Sequence, residues 1–308
     1  MPFGRGFFLA LAKSRYLNEH VTKWGFVRRA TKKFMPGEAP EDALQACAVL
    51  ARSGRGTIFT KLGEAITSPE EAKAVRDHYV WIFDQIRAKN LPGHVSVKPT
   101  QLGLDIDADL CAKYTLELAE KAKGTGSFLW IDMEDSAYVD RTLALYKKVK
   151  AVNPDAGLAM QAYLFRTPKD VADLMSVRPV IRLVKGAYAE LPHVAYPRKA
   201  DTDRAYYEIA DTMLQAAGQG NCLPIFGTHD VALVGRIIAR AKELGVAPGK
   251  YEIHMLYGIK DGEQQRLRND GQVVKTLISY GGAWFKWYMR RLAERPANVG
   301  FVVRSMLS

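Results

Sequence analysis

The sequence is poor in cysteine and has no long apolar run. Its three cysteines, Cys47, Cys111 and Cys222, lie far apart, and none belongs to a C-x-x-C pair. This spacing argues against a disulfide scaffold and a structural zinc site, and it favours a reducing compartment. No uncharged apolar stretch approaches the roughly 18 residues that a membrane span needs. The run at residues 7–12 is short even for the apolar core of a signal peptide.

The positive charge is concentrated at the two ends of the chain. The net charge of the 308 residues is +11. Residues 1–40 hold eight Lys and Arg against two acids, residues 271–308 hold six against one, and the segment between them holds thirty of each sign. Basic ends indicate contact with an anionic membrane surface or an anionic ligand. Nucleic acid is not expected, because the sequence has no zinc-finger, RNP or basic-zipper pattern.

Short apolar runs recur along most of the chain, and an amphipathic stretch follows each of them. The eight runs are 57–60, 95–97, 128–131, 157–160, 180–184, 223–226, 252–256 and 276–279. Runs that are apolar throughout are typical of parallel strands buried on both faces. We therefore predict a helical N-terminal extension over 1–52 and an α/β (β/α)8 barrel, the TIM type, as the catalytic domain over 53–308. A doubly wound sheet is the alternative, although no G-x-G-x-x-G fingerprint is present.

Polar side chains stand where nearly every predicted strand ends, which in a barrel is where chemistry takes place. In chain order the residues at these ends are Lys98, Asp132 with Glu134, Gln161, Arg182 with Lys185, Thr228 with His229, Leu256 with Tyr257, and Tyr280, of which only Leu256 is apolar. His229 is a candidate general base. No second His or carboxylate stands near it at clear ligand spacing, so a metal is not expected.

Arg182 stands inside an apolar strand, where an unpaired guanidinium is costly to bury. It is expected either to form an ion pair with Asp132 or Glu134, or to face an electron-rich ligand in the barrel mouth. Gly186, four residues later, would let a ligand approach the backbone closely.

A basic, aromatic helix is predicted over residues 281–294, as a final helix over the barrel mouth. Trp287 shares a face with Arg290 and Arg291, and Glu294 lies within reach of both guanidinium groups. Paired arginines beside an aromatic ring suit the binding of a small carboxylate. A solvated basic helix is the alternative.

Several of these segments together resemble the proline dehydrogenase family in its single-function bacterial, FAD-dependent form. The matching segments run in family order and are 96–98, 131–134, 160–164, 181–188, 227–230, 255–258 and 288–294. The most specific are Arg-Leu-Val-Lys-Gly-Ala-Tyr at 182–188 and Arg-Arg-x-x-Glu at 290–294. The resemblance implies a distorted barrel that binds FAD and oxidises L-proline to Δ1-pyrroline-5-carboxylate, with electrons passing to a membrane quinone.

The resemblance also implies roles for individual residues. Asp132 and Arg182 are the implied catalytic residues, with Arg182 beside the flavin N5. The implied proline-binding residues are Lys98, Tyr188, Leu256, Tyr280, Arg290 and Arg291, with either Trp287 or Tyr288 over the ring. The implied FAD-binding residues are Met133, Gln161, Arg182, Lys185, Gly186, Ala187, Thr228, His229 and Glu294.

Location and partners follow from the same resemblance. It implies a cytoplasmic protein, peripheral at the inner face of the membrane, whose product passes to a separate pyrroline-5-carboxylate dehydrogenase. Two other functions remain open from the residues alone. One is a barrel lyase or aldolase that forms a Schiff base on Lys98 or Lys185. The other is a non-catalytic basic protein that binds membrane or nucleic acid.

Overall fold

Eight parallel strands close into a barrel in which neighbours along the chain are neighbours in the sheet, and β8 pairs with β1. The computed structural model describes residues 31, 33–63 and 66–285. The strands are β1 Gly56–Lys61, β2 Gly93–Val97, β3 Leu129–Ile131, β4 Gly157–Gln161, β5 Val180–Val184, β6 Leu223–Gly227, β7 Glu252–Leu256 and β8 Val274–Tyr280. All eight predicted runs are confirmed as strands. The closed barrel rules out the doubly wound alternative.

A layer of helices surrounds the barrel. They are α1 Pro40–Arg52, α2 Pro69–Ala88, α3 Ala108–Thr125, α4 Val139–Val152, α5 Thr167–Leu174, α6 Lys199–Gly218, α7 Val231–Glu243 and α8 Asp261–Asn269. Helices α2 to α8 follow strands β1 to β7 in turn, as (β/α)8 topology requires. Among the described residues, no helix combines the length and apolar character needed to cross a membrane.

In the sequence, Ser68 precedes Pro69 and Thr167 precedes Pro168, and each pair predicts a helix whose capping residue stands just before proline. Ser68 caps α2 by accepting a hydrogen bond from the Glu71 amide, and Pro69 occupies the first helical position, as predicted. Helix α5 differs by one residue, because it begins at Thr167 itself. The Thr167 hydroxyl donates to the Gln161 carbonyl at 2.6 Å instead of capping the helix. This bond ties the start of α5 to the end of β4.

Helix α1 lies in the sequence-predicted N-terminal extension, yet it packs in the same apolar core as the barrel. Its buried residues include Leu44, Cys47 and Leu50. The Thr57 hydroxyl on β1 donates to the Cys47 sulfur at 2.9 Å. The part of the extension that the structure describes therefore belongs to the helical layer of the barrel.

The interior of the barrel is filled by side chains from alternate strands. Ile58, Trp130, Arg182 and His254 come from β1, β3, β5 and β7 and form the middle layer, from which Arg182 extends toward Asp132 at the C-terminal ends of the strands and His254 toward Glu252 at their N-terminal ends. The guanidinium carbon of Arg182 lies 4.8 Å from the Trp130 ring centroid, and the His254 ring meets the same Trp130 ring edge-on at 5.4 Å. Four side chains from alternate strands are the usual filling of a barrel of this size. A guanidinium and an imidazole are unusual in such a layer, which is normally apolar. Their presence indicates that the barrel interior does more than provide apolar packing.

Candidate active site

The residues that the sequence places at the strand ends meet at one end of the barrel, because all eight strands are parallel and end at the same rim. The amide of Asp132 donates to the Val97 carbonyl at 2.8 Å, which extends the pairing of β3 with β2 by one residue. Lys98 follows β2 directly, and Gln161 and Leu256 end β4 and β7. The strand ends therefore bring Lys98, Asp132, Gln161 and Leu256 to one rim.

Arg182 forms an ion pair with Asp132 inside the barrel. Its Nη2 atom donates to Asp132 Oδ1 and, at 3.0 Å, to the Ser96 hydroxyl. The same hydroxyl donates to Asp132 Oδ1 at 2.8 Å. The three side chains come from β5, β2 and the end of β3, so they close a hydrogen-bonded triangle across the interior. Of the two ion pairs predicted for Arg182, the structure shows the one with Asp132.

The Arg182 guanidinium is almost wholly buried, with 4% of the residue exposed. Burial lowers the pKa of Arg182, and the charge of Asp132 acts in the opposite direction. An arginine still keeps its proton under these conditions. Its Nη1 atom is buried and finds no hydrogen-bond partner in the described part of the chain. The buried guanidinium is thus a fixed cation, and its Nη1 donor is directed at none of the residues that the structure describes.

Glu134 was the alternative partner of Arg182, and the structure gives it a different role. It accepts hydrogen bonds from the Thr100 amide at 3.0 Å and the Thr100 hydroxyl at 2.7 Å. Burial raises the pKa of Glu134, opposed by these two bonds and by the charge of Lys98. Glu134 therefore fixes the turn that follows Lys98.

Lys185, just after β5, is held between two carboxylates. Its Nζ atom lies 2.5 Å from Asp203 on α6 and 2.8 Å from Asp230. Asp230 also caps α7 by accepting a bond from the Leu233 amide at 3.2 Å. The ion pairs thus join the loops after β5 and β6.

Gly186 follows in a backbone conformation that side chains rarely adopt, with φ at +116°. A Cβ there would lie 2.3 Å from the Tyr163 ring. In the structure the close approach at Gly186 is therefore made by Tyr163, whereas the sequence suggested a ligand.

His229 and Leu256 are joined by a backbone contact. The Leu256 amide donates to His229 Nε2 at 2.9 Å. Since Nε2 accepts this bond, it is not available as a base or a metal ligand, and the ring proton belongs on Nδ1. No group of acidic, histidine and cysteine side chains suited to a metal ion occurs in residues 31, 33–63 and 66–285.

Two further polar atoms on the strands themselves, near the rim of the barrel, are buried without a partner among the described residues. They are Oε1 of Gln161, at the end of β4, and the hydroxyl of Ser279, near the end of β8. Buried polar groups normally have partners, so such atoms call for an explanation. Ser279 was not singled out from the sequence. Their position at the rim that carries Asp132 points to a ligand.

Tyr280 is not brought together with these residues. Its hydroxyl lies 2.8 Å from His78 Nε2 on α2, and its ring packs in the core between the barrel and the helices. Because neighbouring residues of a strand point to opposite faces, Ser279 takes the inward position on β8 and Tyr280 the outward one. The structure therefore places Tyr280 outside the predicted ring pocket.

The remaining predicted residues divide into three groups. Met133 and Thr228 are buried beside the strand ends, and Tyr188 and Ala187 are half-buried in the loop after β5. Leu256 is half-buried at the end of β7. The residues assigned to the final helix, Trp287, Tyr288, Arg290, Arg291 and Glu294, lie outside the described residues.

A second polar network lies in the lower half of the barrel, the half at the N-terminal ends of the strands. The sequence analysis did not predict this network. Lys275 contacts both carboxylate oxygens of Glu252, at 2.7 and 2.8 Å, and His254 Nε2 lies 2.9 Å from the same carboxylate. Burial works to raise the pKa of Glu252, but the bond from His254 and the charge of Lys275 outweigh it and lower the pKa to about 2. Like Arg182, each of these residues interrupts an apolar strand. This break in the apolar pattern could have identified the network from the sequence.

The closed barrel and the charged, incompletely satisfied cluster at its C-terminal rim place the chain in the class of (β/α)8-barrel enzymes. Comparison with known proteins then narrows the class. The family model for proline dehydrogenase matches residues 43–304, and the chain belongs to this family. The chain is 36% identical over 302 residues to proline dehydrogenase 2 of Bacillus subtilis strain 168, with 98% of each chain covered.

Two other similarities agree with this result. The chain is 34% identical over 281 residues to a proline dehydrogenase of Deinococcus radiodurans, covering 90% of this chain and 89% of that protein. Among solved structures, proline utilization A of Bdellovibrio bacteriovorus is similar in fold, with a TM-score of 0.80 at 20% identity. The likeness covers 95% of this chain and 36% of that one, so the chain spans about a third of its length.

Proposed function

We propose that this protein oxidises L-proline to Δ1-pyrroline-5-carboxylate with FAD as its cofactor, the first step of proline breakdown. The observation that carries the proposal is the Arg182–Asp132 pair inside the barrel, which leaves Arg182 Nη1 without a partner among the described residues. Family membership supports proline as the substrate, since the matching relatives are named proline dehydrogenases. The barrel supports a site at the carboxyl ends of its strands, where barrel enzymes carry out their chemistry.

The residues present fit a flavin. Arg182 Nη1 is a buried donor and Gln161 Oε1 a buried acceptor, each without a partner in the described ranges, and an isoalloxazine ring presents both acceptors and donors. Lys185 and His229, on the loops after β5 and β6, would hold the rest of the cofactor. The other residues assigned to it are Met133, Gly186, Ala187, Thr228 and Glu294. When bound, FAD accepts a hydride and passes on electrons.

Proline would be held by its carboxylate. Lys98, Arg290 and Arg291 supply three cations for it, and two guanidinium groups add geometric precision to the charge attraction. The half-buried Tyr188 and Leu256 would line the apolar ring, with Trp287 or Tyr288 covering it. Hydride loss from the carbon next to nitrogen requires a neutral amine. Cations crowded around the carboxylate favour that neutral form, because they repel a further positive charge.

The lyase alternative is less well supported for Lys185. A Schiff-base lysine is activated in an apolar pocket or beside another cation. Lys185 instead contacts the carboxylates of Asp203 and Asp230. This arrangement suits a charged hydrogen-bond donor that orders two loops.

Electron transfer to a membrane quinone is the remaining part of the proposal. The two basic ends of the sequence support peripheral attachment to anionic lipid at the cytoplasmic face. Quinone in anionic vesicles should then reoxidise the reduced protein faster than quinone in neutral vesicles, and added salt should abolish the difference. Equal rates in the two vesicles would contradict the membrane part while leaving proline oxidation untouched.

Product formation tests the chemistry. The purified protein, given FAD, L-proline and a soluble electron-accepting dye, should form a cyclic imine that o-aminobenzaldehyde detects. Arg291→Met should bind proline more weakly while it retains FAD, whereas Arg52→Met, an exposed arginine on α1, should behave as the wild type. No imine from the FAD-loaded wild type would refute the proposed reaction. Unchanged proline affinity in Arg291→Met would remove that residue from the carboxylate site.

A further inference from the structure

The chain that leaves β5 is tied to the chain that leaves β3. The half-buried Glu190 lies in the loop after β5. Its Oε1 atom accepts a hydrogen bond from the Ser136 amide at 2.7 Å, and its Oε2 atom accepts one from the Ser136 hydroxyl at 2.6 Å. Both carboxylate oxygens are therefore bound to one residue, and such a two-point contact fixes the orientation of the side chain.

Ser136 is itself held in place. It begins a short 3-10 turn that ends at Tyr138. The Tyr138 hydroxyl donates to Asp105 Oδ2 at 2.6 Å, and Asp105 lies between β2 and α3. The loops after β2 and β3 are thus joined, and together they support Glu190.

Tyr188 lies between two fixed points of the loop after β5, two residues from each. On one side is Gly186, where an added Cβ would lie 2.3 Å from the Tyr163 ring. On the other side is Glu190, which is bound to Ser136. The path of the chain through the half-buried Tyr188 is therefore fixed from both sides.

The start of the same loop has anchors of its own. Lys185 Nζ lies 2.5 Å from Asp203 and 2.8 Å from Asp230. Loss of the Glu190 bonds leaves these ion pairs in place. It should therefore release Tyr188 more than Lys185.

We propose that Glu190 is a positioning residue for proline, and that it acts through Tyr188 by holding the chain against Ser136. This inference rests on the proposed function, in which Tyr188 lines the proline ring. Ordering a loop and its side chains when a ligand binds costs free energy, and an ordered loop binds more tightly for that reason. Glu190 orders this part of the loop before proline binds.

The first test compares proline binding with cofactor binding. Glu190→Ala removes both bonds and should raise KM for L-proline about tenfold, near the lower end of the worth of one hydrogen bond to a charged group. Its kcat should stay within about twofold of the wild type, because uniform binding is what is lost. The dissociation constant for FAD, measured by flavin fluorescence, should be unchanged because Lys185 keeps its anchors.

Variants of both partners should give graded effects. Ser136→Ala keeps the amide donor and should raise KM about threefold. Glu190→Gln keeps an oxygen for the amide and offers an N–H to the hydroxyl, so it should restore the wild-type KM. Ser136→Ala with Glu190→Ala should equal Glu190→Ala alone, and Glu190→Ala made in Tyr188→Ala should raise KM no further, because these residues act as one unit.

Glu71 offers a matched control on α2. Its Oε2 atom accepts from the Thr67 amide at 2.6 Å and from the Thr67 hydroxyl at 3.3 Å. Glu71→Ala therefore removes the same kinds of bond outside the loop after β5. It should lower the melting temperature and keep the wild-type KM.

Each outcome supports or overturns the inference. A raised KM in Glu190→Ala with unchanged FAD affinity, rescue by Glu190→Gln and no further effect in Tyr188→Ala would establish it. A wild-type KM in Glu190→Ala, an equal loss of FAD affinity, or an added effect in Tyr188→Ala would overturn it. Failure of the proposed function would show instead in the wild type, which would not oxidise proline. A proline analogue with oxygen in place of the ring nitrogen, followed through the flavin absorbance, gives a reading without turnover and should bind more weakly to Glu190→Ala than to Glu71→Ala.

Discussion

The two halves of the barrel interior are both charged, but they are satisfied to different degrees. In the lower half, Glu252 accepts bonds from Lys275 and His254, and Trp130 donates to His94 Nδ1 at 3.3 Å. In the upper half, at the C-terminal rim, atoms of Arg182, Gln161 and Ser279 are buried without partners among the residues that the structure describes. The lower half also has one such atom, Nδ1 of His254.

This difference separates stability from function. A buried charge that is fully paired can be kept for structure alone, whereas a buried donor without a partner carries a free-energy cost of about 1–3 kcal/mol. A ligand at the rim would remove that cost in the upper half. Variants in the lower half should therefore change unfolding, and variants in the upper half should change the reaction.

Replacing Arg182 should have the largest effect. Arg182→Met removes the fixed cation at the rim, and reduction of the FAD-loaded protein by proline should slow about 100-fold or more, as on loss of a preorganised donor. The flavin midpoint potential should also fall, because a nearby cation favours the anionic reduced form. Rapid-mixing absorbance and redox titration measure the two quantities. Arg182→Lys keeps the charge, so its rate of flavin reduction and its midpoint potential should lie between those of the wild type and Arg182→Met. An unchanged potential in Arg182→Met would show that Arg182 does not lie beside the flavin.

Lys275 provides the corresponding test of the lower half. Lys275→Met leaves Glu252 buried without its cation, so the free energy of unfolding should fall by about 3 kcal/mol. KM for proline should stay within twofold of the wild type. The double variant Lys275→Met with Glu252→Gln should recover part of the stability, since the buried charge is then removed. Urea titration measures the free energy of unfolding. A change in KM of more than twofold in Lys275→Met would contradict the division of roles between the two halves.

The strands could be predicted because buried parallel strands are mostly apolar on both faces, and the eight runs follow this pattern apart from buried exceptions such as Arg182, Glu252 and His254. An ion pair of Arg182 could be predicted, because a guanidinium inside a strand needs a partner. The sequence could not show whether that partner is Asp132 or Glu134. Tyr280 was placed in the ring pocket, whereas the structure turns it outward to His78. A strand alternates faces at every residue, so its position relative to the interior follows from the register of β8, which the sequence does not reveal.

Gly186 gives a smaller effect at the upper rim. Gly186→Ala forces an alanine to a φ of +116° and brings its Cβ within 2.3 Å of the Tyr163 ring. We expect a loss of about 1–3 kcal/mol of stability, together with weaker FAD binding. Gly103→Ala is the matched control, because φ is +102° there but the nearest atom is 3.5 Å away. It should lose stability without losing FAD affinity, measured by flavin fluorescence. Equal FAD affinity in both variants would mean that Tyr163 and Gly186 do not shape the cofactor site.

The pH dependence of stability is the smallest of these effects. Burial lowers the pKa of His254 to about 4, although its bond to Glu252 opposes this. The folded protein thus keeps His254 neutral at pH values where the unfolded chain, with a pKa near 6.5, takes up a proton. The free energy of unfolding should therefore decrease as the pH falls from about 6.5 to about 4. His254→Gln should reduce this slope by about one proton, and an unchanged slope in that variant would refute the assignment.

The most direct test of the account is anaerobic addition of L-proline to the purified, FAD-loaded protein, followed by the flavin absorbance. We expect a yellow protein whose colour bleaches in the presence of L-proline, with Arg182→Met bleaching far more slowly and Lys275→Met at the wild-type rate. A protein that takes up no FAD, or one that stays yellow in L-proline, would contradict it.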